Sequence, residues 1–258
     1  MAFIVQNLSF QHANGTRALR DVSLVAKAGE CIAVIGPSGS GKTTFLNLLA
    51  TALKPSEGAL TVLGSNPWRI SKSALRHLRS QIGLVHQAPP IPSRQRVITA
   101  ILAGRLGQWP LWKSILSLIY PVDIVGPQRC LDRLELSDRL FERCDCLSGG
   151  QLQRVGVARV LYQAPQLMLA DEPVSAMDPV LSDLTIRQLI EDAASRNATL
   201  VASLHAVDIA LRWFPRIIGI REGEIAFDLP SSEVTETLLK ELYASEMGVL
   251  PTQAPVTT

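Results

Sequence analysis

A chain of 258 residues with 25 lysines and arginines against 23 aspartates and glutamates has a formal charge of +2. That balance is too small for a sequence-independent grip on nucleic acid, which needs a concentrated basic face, and the length allows one large domain or two small ones with a sizeable core. Cys31, Cys130, Cys144 and Cys146 form no CxxC pair and no zinc-type spacing, which predicts free thiols in a reducing compartment.

The N-terminal MAFIVQNLSF lacks the charged start and long apolar core of a secretory signal, so the chain is expected to stay in the cytoplasm. Residues 2–35 predict strands with reversals, one of them at the turn pair Asn14 and Gly15. After the strand-like run CIAVI come GPSGSGKT and a helical spacing of Phe45, Leu48, Leu49 and Ala52. Short apolar runs bounded by turn residues recur at ALTVLG, QIGLVHQ, QLMLADEP and TLVASLH. Helical spacing returns at Leu184, Leu189 and Ile190, with Pro179 just inside the helix start. Strands buried on both faces and alternating with helices predict a largely parallel α/β sheet.

Residues 88–165 hold no convincing buried strand and read as helical. The apolar region from Val97 to Tyr120 is interrupted by Arg105, Pro110 and Lys113, well short of the roughly 20 uninterrupted residues of a membrane span. It predicts a buried or interface helix pair. Residues 216–229 predict a hairpin around Glu222 and Gly223, followed by a helix from about Ser232 to Met247 and a loose tail, PTQAPVTT. No internal repeat or low-complexity linker separates these parts.

GPSGSGKT matches GxxxxGK[ST] between a strand and a helix, the context that motif needs. Its glycines let backbone N–H groups turn toward phosphate oxygens, and the helix beginning near Lys42 adds the positive end of its dipole. Gly36, Pro37, Ser38, Gly39, Ser40, Gly41, Lys42, Thr43 and the adjoining Thr44 are therefore nucleotide-binding candidates. Lys42 would reach the β and γ phosphates, and the Thr43 hydroxyl would hold Mg2+.

The run LMLADE ends a strand in two carboxylates whose side chains alternate in direction. Asp171 would hold magnesium, and Glu172 would act as the general base toward the attacking water. A surface turn before Pro173 is the bland alternative. The stretch LSGGQ, residues 147–151, could equally be a flexible turn. If Ser148, Gly149, Gly150 and Gln151 open a helix through Gln153, Val157 and Val160, they instead offer N–H donors to an anion. One phosphate grip already exists in GPSGSGKT. A second makes sense if two copies face head to tail, each covering the other's nucleotide.

GPSGSGKT, LSGGQ, LMLADEP, SAMD and a single His205 after a strand, in that order, resemble the ATP-binding cassette family of transport ATPases across residues 1 to about 230. The resemblance implies a P-loop NTPase fold: a RecA-like, mostly parallel core, an N-terminal antiparallel β-subdomain and an α-helical subdomain inserted at about 88–165. Residues 231–258 would be a C-terminal helix and tail. It implies ATP as substrate, Mg2+ as cofactor, and a homodimer of ATPase subunits on membrane permease subunits at the cytoplasmic face of the inner membrane. A separate solute-binding protein would select the cargo.

Residue by residue, Gln87 matches the glutamine that senses magnesium and the attacking water. Ser148 and Gly150 match contacts to the γ-phosphate across the dimer, Asp178 the loop coupling the two sites, and His205 the switch histidine. His12 stands where the family usually stacks an aromatic on adenine, with Phe10, two residues earlier, as either a substitute or a core residue. Met177 stands where leucine is commoner. Outside these motifs, NGTRAL, AGRLG, PLWKSILSLIYPVD and SLHAVDIALRWFPRIIGIREGEIAFD resemble the ATPase subunits of phosphonate importers. Ala88, Pro89 and Pro90, and the ending FDLP, depart from that pattern. An importer of phosphate, methionine or an amino acid, a soluble cassette ATPase, and a P-loop kinase or GTP switch are the competing readings. LSGGQ and His205 have no task in the last.

Overall fold

The computed structural model describes residues 1–244. Two β-sheets pack in layers, and the chain crosses to the second after its first two strands and returns to the first after its first helix. β1 (Phe3–Gln11) and β2 (Arg17–Ala26) pair antiparallel. Their reversal closes where Gly15, at φ +87°, takes a left-handed conformation that glycine adopts without strain. β3 (Cys31–Ile35) leaves for the second sheet, and after α1 (Lys42–Leu49) the chain returns to β1 as β4 (Glu57–Val62).

ALTVLG was expected among the strands buried on both faces, and its position is a correction. It belongs to the small antiparallel sheet, ordered β2-β1-β4. The reason is in its side chains: Glu57, Gly58 and Ala59 are exposed, and only Leu60 and Val62 turn inward, the alternation of a half-buried strand. Ala52 is a second correction. α1 stops at Leu49, Thr51 turns the chain at φ +59°, and Ala52 is exposed instead of extending the buried stripe.

α2 (Lys72–Ser80), capped by the Ser71 hydroxyl accepting from Ala74 N–H, leads into β5 (Ile82–Val85). Four helices follow: α3 (Val97–Leu102), α4 (Leu111–Ile119), α5 (Val125–Asp132) and α6 (Gly149–Gln163). Then come β6 (Leu167–Asp171), α7 (Pro179–Arg196), β7 (Thr199–Ser203), α8 (Val207–Trp213), β8 (Arg216–Arg221), β9 (Glu224–Pro230) and α9 (Glu236–Leu242).

The large sheet is ordered β5-β6-β7-β3-β8-β9, parallel except for the β8–β9 hairpin at its edge. Alternation sends successive residues to opposite layers. Ile32, Val34, Leu167, Leu169 and Val201 pack with α1 and the small sheet. Ala33, Ile35, Met168, Ala170, Leu200 and Ala202 pack with the helices of the other layer. A sheet covered on both sides requires the continuous apolar runs that the sequence carries. The helical stretch is tied to α7 by Arg133, which donates to Gln188 Oε1 at 2.8 Å and to Asp192 Oδ1 at 2.9 Å.

Beyond β9, residues 231–233 form a single 3-10 turn, and α9 starts only after Thr235, whose hydroxyl accepts from Leu238 N–H. The expected helix end at Met247 and the tail PTQAPVTT lie outside the described residues. Among the described residues, all four cysteines are free thiols and no helix is long and apolar enough to cross a membrane. Burial pushes the Cys130 and Cys144 thiols up to about 11, so both stay protonated and inert near neutrality.

Candidate active site

β3, β6 and β7 are neighbours, and their carboxyl ends open on one edge, where α/β sheets hold ligands. GPSGSGKT connects β3 to α1 there. Only glycine fits at Gly36 and Gly41: an added Cβ would lie 2.0 Å from the Ile220 carbonyl oxygen in one case and 2.5 Å from that of Ala18 in the other. Lys42 Nζ folds back across the loop and donates to the carbonyls of Gly36 at 2.6 Å and Pro37 at 3.0 Å. Ser40 Oγ is buried without a hydrogen-bond partner among the described residues. A glycine-rich loop ahead of a helix start, a lysine and an unsatisfied hydroxyl form a donor set suited to phosphate oxygens.

The loop opens on a cavity of about 300 Å³ lined by Ser38 to Thr44, by His12, Thr16, Arg17 and Ala18, and by Glu172 and His205. His12 is exposed at the end of β1, edge-on to Phe10 with ring centroids 5.0 Å apart. Phe10 itself is buried in the core, which leaves His12 as the ring at that wall. Thr16 and Arg17 were not singled out in the sequence, and they reach the cavity because the β1–β2 reversal leans over it.

At the opposite wall, Thr43 Oγ1 donates to Asp171 Oδ1 at 3.1 Å, and Ser203 Oγ donates to the same oxygen at 2.7 Å. Ser203 Oγ also accepts from Glu172 N–H at 3.0 Å. Glu172 holds φ +47°, a left-handed conformation uncommon for a residue with a long side chain, and its side chain is 12% exposed. His205 Nε2 lies 2.6 Å from Glu172 Oε1, and Gln87 Nε2 donates to Oε2 at 2.7 Å. Both carboxylate oxygens are therefore engaged. The hydrogen bond from His205 is the main cause that holds the Glu172 carboxyl below its ordinary range, with the charges of His205 and Lys42 adding to it and burial opposing. The group is ionised at neutral pH, the state a general base needs.

LSGGQ lies elsewhere. Ser148 caps α6, its hydroxyl accepting from Gln151 N–H at 3.3 Å while Gln151 Oε1 accepts from Ser148 N–H at 2.9 Å, a reciprocal capping box. Gly149 and Gly150 pack against Ala176, and an added Cβ on Gly150 would meet the Ala176 carbonyl oxygen at 2.6 Å. Asp178 caps α7 by accepting from Leu181 N–H at 3.0 Å. None of Ser148, Gly149, Gly150, Gln151 and Asp178 lines the phosphate-loop cavity, and Gln87 reaches it only through Glu172.

Besides Thr16 and Arg17, three residues that brace the site were given no role in the sequence reading. Gln153, 1% exposed, donates to the carbonyls of Glu172 at 2.8 Å and Gln87 at 3.3 Å and accepts from Ala176 N–H at 3.1 Å. One amide thus ties the β5–α3 and β6–α7 loops to α6. The signal was a glutamine on the apolar face of a helix, where burial demands partners. Ser203 and Tyr243 gave no such signal. Tyr243, fully buried after α9, accepts the Gly36 N–H through its hydroxyl at 3.1 Å.

The sequence matches the ABC transporter family over residues 19–175. It is 65% identical over 253 residues to the phosphonates import ATP-binding protein PhnC 1 of Cupriavidus necator, covering 98% of this chain and 90% of that one. To the PhnC 1 protein of Pseudomonas aeruginosa it is 59% identical over 246 residues, covering 95% and 92%. Among solved structures, it is similar to the dimeric post-hydrolysis state of the ATP-binding cassette MJ0796 bound to ADP and Pi. That match has a TM-score of 0.77 at 26% identity and covers 89% of this chain and 98% of the other. A site built on a phosphate loop, a β6 carboxylate pair and an LSGGQ-capped helix, with these likenesses over nearly its whole length, places the chain in the ABC transporter family, to which it belongs.

Proposed function

We propose that the chain is the ATP-binding and ATP-hydrolysing subunit of a phosphonate importer, acting with permease subunits at the cytoplasmic face of the inner membrane. The cassette unit would be residues 1–230, with a helical subdomain at about 88–165. The near full-length identity to proteins named as phosphonate import ATP-binding proteins supports the cargo class. The observation that carries the chemistry is the Glu172 carboxylate, held ionised between Gln87 and His205 at the wall of the Lys42 loop.

Gly36 to Thr44 bind the phosphates of ATP, and His12 covers the base. Glu172 accepts a proton from the attacking water, and His205 orients that carboxylate and meets the γ-phosphate. Thr43, Asp171 and Gln87 would hold Mg2+, which when bound neutralises phosphate charge; the shared oxygen of Asp171 and its hydroxyl partners form an oxygen-rich set that suits it. Because Ser148, Gly149, Gly150, Gln151 and Asp178 do not line their own chain's cavity, they complete the site of a second copy in a head-to-tail homodimer, as the dimeric form of the similar cassette supports. Closure of that dimer would drive the permease, and a solute-binding protein would deliver the cargo.

The test is growth of a strain lacking this gene on a phosphonate, on phosphite or on inorganic phosphate as sole phosphorus source, with wild-type or Glu172→Gln copies restored. The expected result is growth loss confined to phosphonate or phosphite and rescued by wild type alone. Normal growth of the deletion strain on all three sources assigns the importer another solute.

A further inference from the structure

α4 is built inside out. Its small polar residues face the protein: Ser117 is buried and donates to the Ser114 carbonyl at 2.8 Å, and Ser114 donates to the Leu106 carbonyl at 3.2 Å. Its large apolar residues face outward, with Ile119 83% exposed, Leu111 70% and Trp112 68%, joined by Ile115, Leu118 and Tyr120. A surface helix ordinarily turns its apolar stripe to the core. Here the exposed apolar side chains gather along one helix, and a patch of that kind marks a contact with a partner protein or a membrane.

The surrounding charge decides between the two. No aspartate or glutamate occurs between Glu57 and Asp123, so the arginines and lysines of that stretch leave it with a net positive charge although the whole chain is nearly neutral. Arg76 borders the cavity that Leu111, Ile115 and Leu118 line, and it pairs with no acidic group among the described residues. Lys113 sits over the Trp109 ring at 4.7 Å. Asp123, where acidic residues resume, is turned inward, accepting from the Tyr162 hydroxyl at 2.9 Å and from Gly126 N–H at 3.0 Å. An apolar ridge bordered by cations and free of carboxylates complements a bilayer with anionic headgroups, and Trp112 and Tyr120 are the side chains that settle at its interface.

We propose that α4 lies directly on the anionic lipid surface beside the permease, an interfacial contact of this chain with lipid itself. It rests on the peripheral location proposed above.

The test is sedimentation of the purified full chain with vesicles of phosphatidylglycerol and phosphatidylethanolamine, or of phosphatidylcholine alone. Wild type is compared with Trp112→Ser/Ile119→Ser and with Arg76→Glu, and ATP hydrolysis is measured in the same samples. Wild type is expected to bind the anionic vesicles, more weakly at high salt and on phosphatidylcholine. Binding should fall by about tenfold or more in the double variant, with hydrolysis unchanged. Wild type left in the supernatant, or variants that bind equally, would overturn the proposal. So would a double variant that keeps vesicle binding but fails to assemble with the permease in detergent, which would make α4 a protein contact. Glu172→Gln separates the two readings: loss of hydrolysis with vesicle binding retained leaves each standing on its own.

Discussion

Tyr243 accepts the main-chain N–H of Gly36 at 3.1 Å, so a side chain from the last described turn holds the first residue of the phosphate loop. A second tether, from Arg221 Nη1 to the Glu241 carbonyl at 2.9 Å, keeps α9 against the end of β8. Tyr243→Phe strands a buried donor, which costs about 1–3 kcal/mol. Urea unfolding should show that loss, and ATP binding by titration calorimetry should weaken several-fold. Unchanged values in both would mean the hydroxyl does not position the loop.

Glu172→Gln keeps the shape of the side chain and removes its basicity. Steady-state hydrolysis should fall by about a hundredfold or more, while ATP still binds and a dimer accumulates on gel filtration. Ordinary turnover in this variant would remove Glu172 from the role of base.

The acid limb of activity follows from the same carboxylate. His205 is the leading cause of its lowered pKa, so His205→Ala should raise the Glu172 pKa toward the ordinary range. The carboxylate then takes up its proton at a higher pH than in wild type. The sign for stability is the same: the stabilisation from a lowered carboxyl is complete above its unfolded value and is lost as pH falls through the folded one. A ¹³C carboxyl titration, with Glu172→Gln identifying the resonance, should show the midpoint moving upward. A midpoint that stays or moves down refutes the attribution to His205.

Gln153→Leu leaves the Glu172 carbonyl and the Ala176 N–H without this partner. At about 1–3 kcal/mol for each buried group left unpaired, thermal unfolding should shift clearly downward. Hydrolysis should fall further than ATP affinity, because the amide holds the Glu172 and Gln87 loops and does not touch the phosphate loop. Equal losses in both would point to a general weakening of the fold.

Local chemistry was legible in the sequence and long-range placement was not. GPSGSGKT is readable because its glycines, its lysine and the flanking strand and helix are consecutive, and LMLADE because a strand fixes its own alternation. The sheet to which β4 belongs depends on pairing with β1 across about fifty residues, and an apolar run alone does not choose between two sheets. Ala52 misled for a local reason, since the spacing continued where Thr51 had already turned the chain. Tyr243 and Ser203 are invisible for a third: each acts through one hydroxyl on a residue far away in sequence, and nothing in their neighbourhood distinguishes them from packing. LSGGQ was readable as a helix start, but its distance from the phosphate loop only the fold could supply.

The order β6-β7-β3 makes the middle strand a gauge for the site. Neighbouring strands lie about 4.8 Å apart, so β7 alone sets the separation between the Asp171–Glu172 pair and the phosphate loop, with Ser203 as the peg that fixes its register against Asp171. One residue added within β7 would turn that hydroxyl to the other layer, whereas one added between α4 and α5, where no residue lines the site, would lengthen a loop at small entropic cost. Length variation in this protein should therefore be forbidden along β7 and tolerated at the helical periphery, a pattern that single-residue insertion scanning would read out directly.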